Sequence, residues 1–227
     1  LPDAGADRIK PLPFVMAGHL FAEGESTPPL WHPECGPKTP WTRAAKPPIV
    51  LAMSRKPITE LRRGWTTGAC ATAATKAALM ALWSGEFPAE IGITLPKGET
   101  PVFPLAFIDQ GPGWAEAGVI KDAGDDPDVT HGALIIARVQ MRGTGLSFHA
   151  GDGVGTITKP GLPIAVGEPA INPVPRQLMT DVVLECAAIY GHAPDIAITI
   201  SIPGGQKLAE KTWNPRLGIV GGLSVLG

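Results

Sequence analysis

The chain has 227 residues, a formal net charge of -2 and 44% hydrophobic residues. That is enough apolar sequence to bury the core of one large domain, or one and a half. The charge balance excludes a general nucleic-acid binder, which needs a basic excess or stripe.

Cys35, Cys70 and Cys186 are odd in number and far apart. They give neither a disulfide framework nor a zinc spacing, and the expectation is a reducing, cytoplasmic compartment. No apolar run approaches ~20 residues, so no membrane-spanning helix is expected. The start shows no basic segment followed by an apolar one, so no signal peptide is expected either.

Residues 1–52 differ from the rest. Prolines at 2, 11, 13, 28, 29, 33, 37, 40, 47 and 48 break every helical or strand period, and the His32–Cys35 pair is too isolated to argue for a metal. The expectation is that Met53 is the natural start and that residues 1–52 are an appended, largely disordered extension. Residues 53–227 then form an α+β or α/β domain.

From Leu61 the text reads LRRGWTTGACATAATKAALMALWSG. Thr66 or Thr67 can cap a helix running to about Trp83, and Gly85 closes it. Its alanines and threonines make a smooth face for close packing. Arg62, Arg63 and the turn before the helix suggest an anion site at its N-terminus. Cys70 sits in the first turn but has no neighbouring histidine, and reads as a packed small residue.

Ile91–Leu95 and Val102–Phe107 are predicted as a hairpin turning at Pro96-Lys97-Gly98. Gly111-Pro112-Gly113 is expected to be a loop leading into GVIKDAGDDPDVTHGA, residues 118–133. This stretch concentrates Lys121, Asp122, Asp125, Asp126, Asp128, Thr130 and His131 where Gly124 and Pro127 forbid regular structure. Functional groups gather on such loops. Ala133–Met141 is predicted as a central strand covered on both faces, followed by a short strand at Leu146–His149.

The second loop, GDGVGTITKPG, sets Gly151, Gly153 and Gly155 at alternate positions ahead of Lys159. It can offer N–H groups to an anion, or be a bulged glycine hairpin. The third, GEPAINPVPR, is stiffened by prolines and leads into a helix over Arg176–Tyr190, closed by Gly191. Leu178, Val182, Cys186 and Ile189 are its expected apolar stripe. Ile196–Ile202 reads as a strand. A fourth loop after it carries Lys207, Lys211, Asn214 and Arg216, and the chain ends in a glycine-rich apolar run that reads as a truncation. The layout is that of an enzyme with a mixed sheet, packing helices and a site at one sheet edge.

Five stretches in order, LRRGWTTGACATAATKAAL, AGVIKDAGDDPDVTHGA, GDGVGTITKPGL, VGEPAINPVPR and KTWNPRLGIVGGLSVLG, resemble the CbiD family, the cobalt-precorrin-5B C(1)-methyltransferases of anaerobic cobalamin biosynthesis. The resemblance covers Met53–Gly227 and implies a C-terminal α/β domain beyond the matched part. It further implies methyl transfer from S-adenosylmethionine to C-1 of a cobalt-bearing corrin precursor, with no metal held by the protein itself.

Under that resemblance, Arg62, Arg63, Lys121, Lys159, Arg176, Lys211 and Arg216 are candidate clamps for the ring carboxylates. Asp125, Asp126 and His131 are candidates to balance the sulfonium charge or accept a ring proton. Gly151, Gly153 and Gly155 are candidates to bind the methyl donor. Two other readings stand beside it. One is phosphoryl transfer, with the glycine loop on phosphates and the aspartates on magnesium. The other is a tetrapyrrole-binding fragment without turnover. A homo-oligomer is left open.

Overall fold

A computed structural model describes residues 61–143 and 145–227. The expectations for residues 1–52 and Met53 lie outside them. In chain order the elements are α1 (Thr67–Ser84), β1 (Glu90–Gly92), β2 (Val102–Pro104), β3 (Phe107–Gly111), β4 (Trp114–Ile120), β5 (Leu134–Met141), β6 (Ser147–Ala150), β7 (Thr156–Ile157), α2 (Pro173–Tyr190), β8 (Ile196–Ser201), α3 (Gly205–Ala209) and β9 (Ile219–Val220).

A five-stranded mixed sheet in the order β3-β4-β5-β8-β6 forms the frame. All pairings are antiparallel except β6 with β8, which α2 bridges. The fold is therefore α+β with a mixed sheet, as read from the sequence. Small β1-β2 and β7-β9 ladders flank it. The hairpin turning at Pro96-Lys97-Gly98 is present, closed by Gly98 N–H to Leu95 O at 2.8 Å.

α1 lies on the sheet against β4 and β5 and alongside α2. Ala69, Ala71, Ala73, Ala74, Ala77 and Ala78 are all buried, so their small side chains allow the close approach that the sequence implied. The sheet answers with its own small residues, Ala117 of β4 paired with Ala137 of β5. Larger side chains from β5 and β8, Ile135, Val139, Ile198 and Ile200, complete the core, each contributing ~1.5–3 kcal/mol on burial. Thr66 caps α1, its hydroxyl accepting from Ala69 N–H at 3.1 Å, and Gly85 ends it in the left-handed region.

Three expectations are corrected. First, β5 is central but covered on one face only. Ile135, Ala137 and Val139 are buried, whereas Arg138 and Gln140 on the other face are half-exposed. There Arg138 pairs with Glu116 at 2.9 Å and lies 3.9 Å from the Trp114 ring centre. A continuous apolar start, Ala-Leu-Ile-Ile, concealed the alternation.

Second, Gly111-Pro112-Gly113 is the turn of a β3-β4 hairpin, and the stretch to Ile120 is a strand rather than the opening of the acidic loop. Alanine, glutamate and glycine in β4 carry little strand preference; pairing on both sides decides it.

Third, α2 starts at Pro173, with Pro173 and Pro175 both in its first turn. Its buried face runs through Met179, Val182, Val183, Cys186 and Ala187, and Ile189 is exposed.

The connections cross tightly in the segments flanking β7 and β9. Gly153 has φ +71°, and a Cβ there would collide with Ile202 O and lie 2.8 Å from Gly205 N. Leu223 N–H donates to Gly153 O and Gly155 N–H to Leu223 O, both at 2.8 Å. The segment 225–226 ties two parts of the domain together: Val225 N–H donates to Ala170 O, and Gly68 N–H at the start of α1 donates to Leu226 O at 2.7 Å.

Candidate active site

The β4-β5 connection, residues 121–133, folds back on the strand of chain leading into α1. Arg63 bridges Gly124, Trp65 N–H donates to Asp122 O at 2.8 Å, and Asp125 N–H donates to Arg62 O at 2.9 Å. Gly124, at φ +65°, is needed here because a Cβ would strike Arg62 O. The Arg62 guanidinium grips the Asp122 carboxylate with both terminal nitrogens. That hydrogen bond holds Asp122 below the usual carboxylate range and raises Arg62 in turn. Arg63 pairs with Glu99.

A cleft of about 1050 Å³ opens between this loop, residues 61–67 at the start of α1, Leu162-Pro163, Asn172, and segments 212–219 and 223–226. Its walls are apolar in large part, and several are exposed: Leu61, Val129, Trp213, Leu217 and Leu226. Such mixed lining, mostly apolar with a few placed polar groups, is the usual make-up of a small-molecule site.

At the cleft lies an ion pair. Lys121 is only 2% exposed, and its Nζ donates to Asp128 Oδ2 at 2.5 Å. Asp128 Oδ1 accepts from Thr130 N–H at 2.8 Å and from the Thr130 hydroxyl at 2.7 Å. Burial pushes the Asp128 carboxyl up, but the hydrogen bonds from Lys121 and Thr130 outweigh it and bring it to about 2. The carboxylate stays ionised and Lys121 stays partnered.

Comparison with known proteins decides the family. The CbiD family model matches residues 54–227. The chain belongs to the CbiD family. It is 66% identical over 170 residues to a Brucella anthropi protein named cobalt-precorrin-5B C(1)-methyltransferase, covering 74% of this chain and 46% of that one. A protein of the same name from Paramagnetospirillum magneticum is 63% identical over 169 residues, covering 74% and 47%. The chain thus spans about half the length of the curated relatives it matches. The crystal structure of the cobalamin biosynthesis protein CbiD from Archaeoglobus fulgidus superposes with a TM-score of 0.57 at 30% identity, covering 74% of this chain and 52% of that one.

Among the sequence-predicted site residues of this CbiD chain, Arg62, Arg63, Lys121, Asp125 and Asp126 line the cleft. His131 does not line it: its Nδ1 accepts from Ala123 N–H at 3.1 Å and sits 3.7 Å from Asp122 Oδ1. The glycine loop does not line it either. The N–H groups of Gly151 and Gly155 are spent on Ile200 O and Leu223 O, and Gly153 carries the backbone crossing.

The remaining basic residues do not line the cleft. Arg176 ties down its own loop through Ile171 O at 2.8 Å, Pro169 O at 3.1 Å and Glu168 at 3.2 Å. Lys159 and Lys211 are exposed, and Arg216 lies 4.7 Å from the Trp213 ring centre. The anion site foreseen at the start of α1 is filled by protein atoms, because Gly68 N–H and Ala69 N–H are already bonded. Cys70 is fully buried, and burial pushes its thiol up to about 12, as suits a packing residue.

Thr67, Asn214 and Trp213 are cleft residues that the sequence did not single out as site residues. Asn214 appeared only as one polar group on a fourth loop, and Thr67 only as an alternative cap. Among the described residues no helix is long and apolar enough to cross a membrane.

Proposed function

We propose that this chain carries the ligand cleft of a C-methyltransferase acting on cobalt-precorrin-5B at C-1, with S-adenosylmethionine as donor. The observation that carries the reading is the apolar-walled cleft of about 1050 Å³, with the Lys121–Asp128 pair at its lining, in a chain of the CbiD family. The donor supplies an electrophilic methyl group on a sulfonium: the C–S bond breaks as the new C–C bond forms, and the ring gives up a proton.

The residues of this chain do the rest. The rigid floor set by Lys121, Asp128 and Thr130 orients what binds above it, and orientation can supply ~7–11 kcal/mol of a methyl-transfer barrier. The apolar walls, exposed in the free chain, offer surface that a bound ligand would cover. Asp126, whose carboxylate has no partner among the described residues, can balance the sulfonium charge or accept the proton that the ring gives up. Asp125 is held by Arg62 N–H at 2.6 Å and adds negative charge beside it. His131, at the back of the same loop, supports Ala123 rather than meeting the substrate.

The phosphoryl-transfer reading finds less support. Asp122 and Asp128 are spent on Arg62 and Lys121, and among the described residues no group of His, Cys, Asp and Glu is gathered to hold a metal. The test is transfer of labelled methyl from S-adenosylmethionine to cobalt-precorrin-5B. Appearance of a C-1-methylated product supports the reading. Ring binding without label transfer, in a folded sample saturated with donor, would leave the tetrapyrrole-binding alternative.

A further inference from the structure

The charges around the cleft are of two kinds. Each cation lining it is already in contact with a carboxylate: Lys121 with Asp128, Arg62 with Asp122 and Arg63 with Glu99. Asp125 and Asp126 also line it, and among the described residues neither meets a cationic side chain within ion-pair distance. Among the charges that line the cleft, those left without a contact partner are therefore negative. The lining cations are already paired, whereas an entering cation would meet carboxylates that are not; Arg216, beside Trp213, stands outside the lining.

A second observation is independent of charge. Thr67 is 7% exposed and Asn214 8% exposed, and both line the cleft. The Thr67 hydroxyl has no hydrogen-bond partner among the described residues. Asn214 uses one end of its carboxamide on Ser224 at 3.3 Å, leaving the other end without a partner among the described residues. Yet no side-chain nitrogen or oxygen among the described residues is both unpaired and sealed from solvent. Neither group is a sealed orphan, and the cleft is the space their residues line. A ligand in the cleft can take both as hydrogen-bond contacts.

We propose that this cleft receives the cationic methyl donor rather than the carboxylate-rich edge of the ring, with Thr67 and Asn214 as its hydrogen-bonding contacts and Asp125 and Asp126 as its countercharge. The inference rests on the methyl-transfer reading. It moves donor binding from the glycine loop at 151–155 to the start of α1 and the loop around Asn214.

Calorimetric titration of S-adenosylmethionine and S-adenosylhomocysteine into the chain tests it, since the two share every group except the sulfonium. The expected result is tighter binding of the sulfonium compound. The Asp125→Asn, Asp126→Asn double variant should lose that preference while binding the thioether as before. Thr67→Val and Asn214→Ala should each weaken both ligands by about five- to tenfold, the worth of one hydrogen bond. Thermal unfolding checks that these two buried variants fold; the exposed aspartate variants carry the test if they do not.

Equal affinity for both ligands, variants that bind like the parent, or a folded chain that binds neither would overturn the proposal. The parent reading is judged separately. If the charge preference and its loss are seen but no methyl reaches the ring, the donor site stands and the methyl-transfer reading falls.

Discussion

Replacing Asp128 by Asn probes the cleft's rigid floor. Lys121 is 2% exposed, and among the described residues its one acceptor is Asp128 Oδ2. The other carboxylate oxygen takes two hydrogen bonds from Thr130. An Asn carboxamide has one acceptor end, so it can serve Lys121 or Thr130 but not both, and its NH2 end faces a donor either way. Removing one member of a buried pair costs ~3–5 kcal/mol because the other charge is left uncompensated.

The Asp128 side chain is 34% exposed, so water can reach the gap and the lower end applies, about 3 kcal/mol. Against a total stability of ~5–15 kcal/mol that is a large loss. Lys121→Met should cost less, ~1–2 kcal/mol, because the carboxylate left behind is the one that can rehydrate. Urea unfolding of the three proteins, analysed by linear extrapolation, measures both differences. If Asp128→Asn lies within ~0.5 kcal/mol of the parent, or if Lys121→Met is the more damaging change, the pair does not hold the floor as described.

Other consequences are equally concrete. The Asp128 carboxyl is lowered from 3.8 to about 2 in the folded chain, so the unfolded state takes up the proton first. Its contribution is complete above pH ~4 and disappears as pH falls towards ~2, amounting to about 1 kcal/mol once exposure is discounted; the stability gap between parent and Asp128→Asn should narrow across that window, and a gap constant from pH 6 to pH 2 would contradict the assignment. Burial raises the Cys70 thiol to about 12 and the Cys186 thiol to about 11. Peptide mapping after treatment with a thiol reagent at pH 8 should find both unmodified until denaturant is added, and fast native-state labelling of Cys70 would mean the α1 packing is looser than described. Gly153→Ala should cost more than ~2 kcal/mol, because φ is +71° and the new Cβ meets Ile202 O. Gly92→Ala, whose Cβ would find only a Val102 methyl at 3.9 Å, should change thermal unfolding little.

Much of the fold was legible because its signals are local. Thr66 and Gly85 bracket α1, Pro96-Lys97-Gly98 turns the first hairpin, and Gly191 ends α2 within a residue of the reading. The β3-β4 hairpin was not legible, because Trp114–Ile120 owes its strand to neighbours on both sides rather than to its own side chains. The same limit governs the site. Density of charge drew attention to residues 118–133, part of which lines the cleft, but which aspartate meets which base depends on the chain before α1 lying against it. Thus Asp122 went to Arg62 and Asp128 to Lys121. Glycine spacing at 151–155 looks the same whether backbone N–H groups await a ligand or two chain segments cross. Contacts from Gly205, Gly222 and Leu223, more than fifty residues away, are what distinguish the two.

Hydrogen–deuterium exchange with and without S-adenosylmethionine tests the central claim, that the cleft rather than the glycine loop is the ligand site. The account predicts added protection in peptides spanning residues 61–67, 121–130 and 212–217, with little change at 151–158. Protection centred on 151–158, with the three cleft segments unaltered, would contradict it.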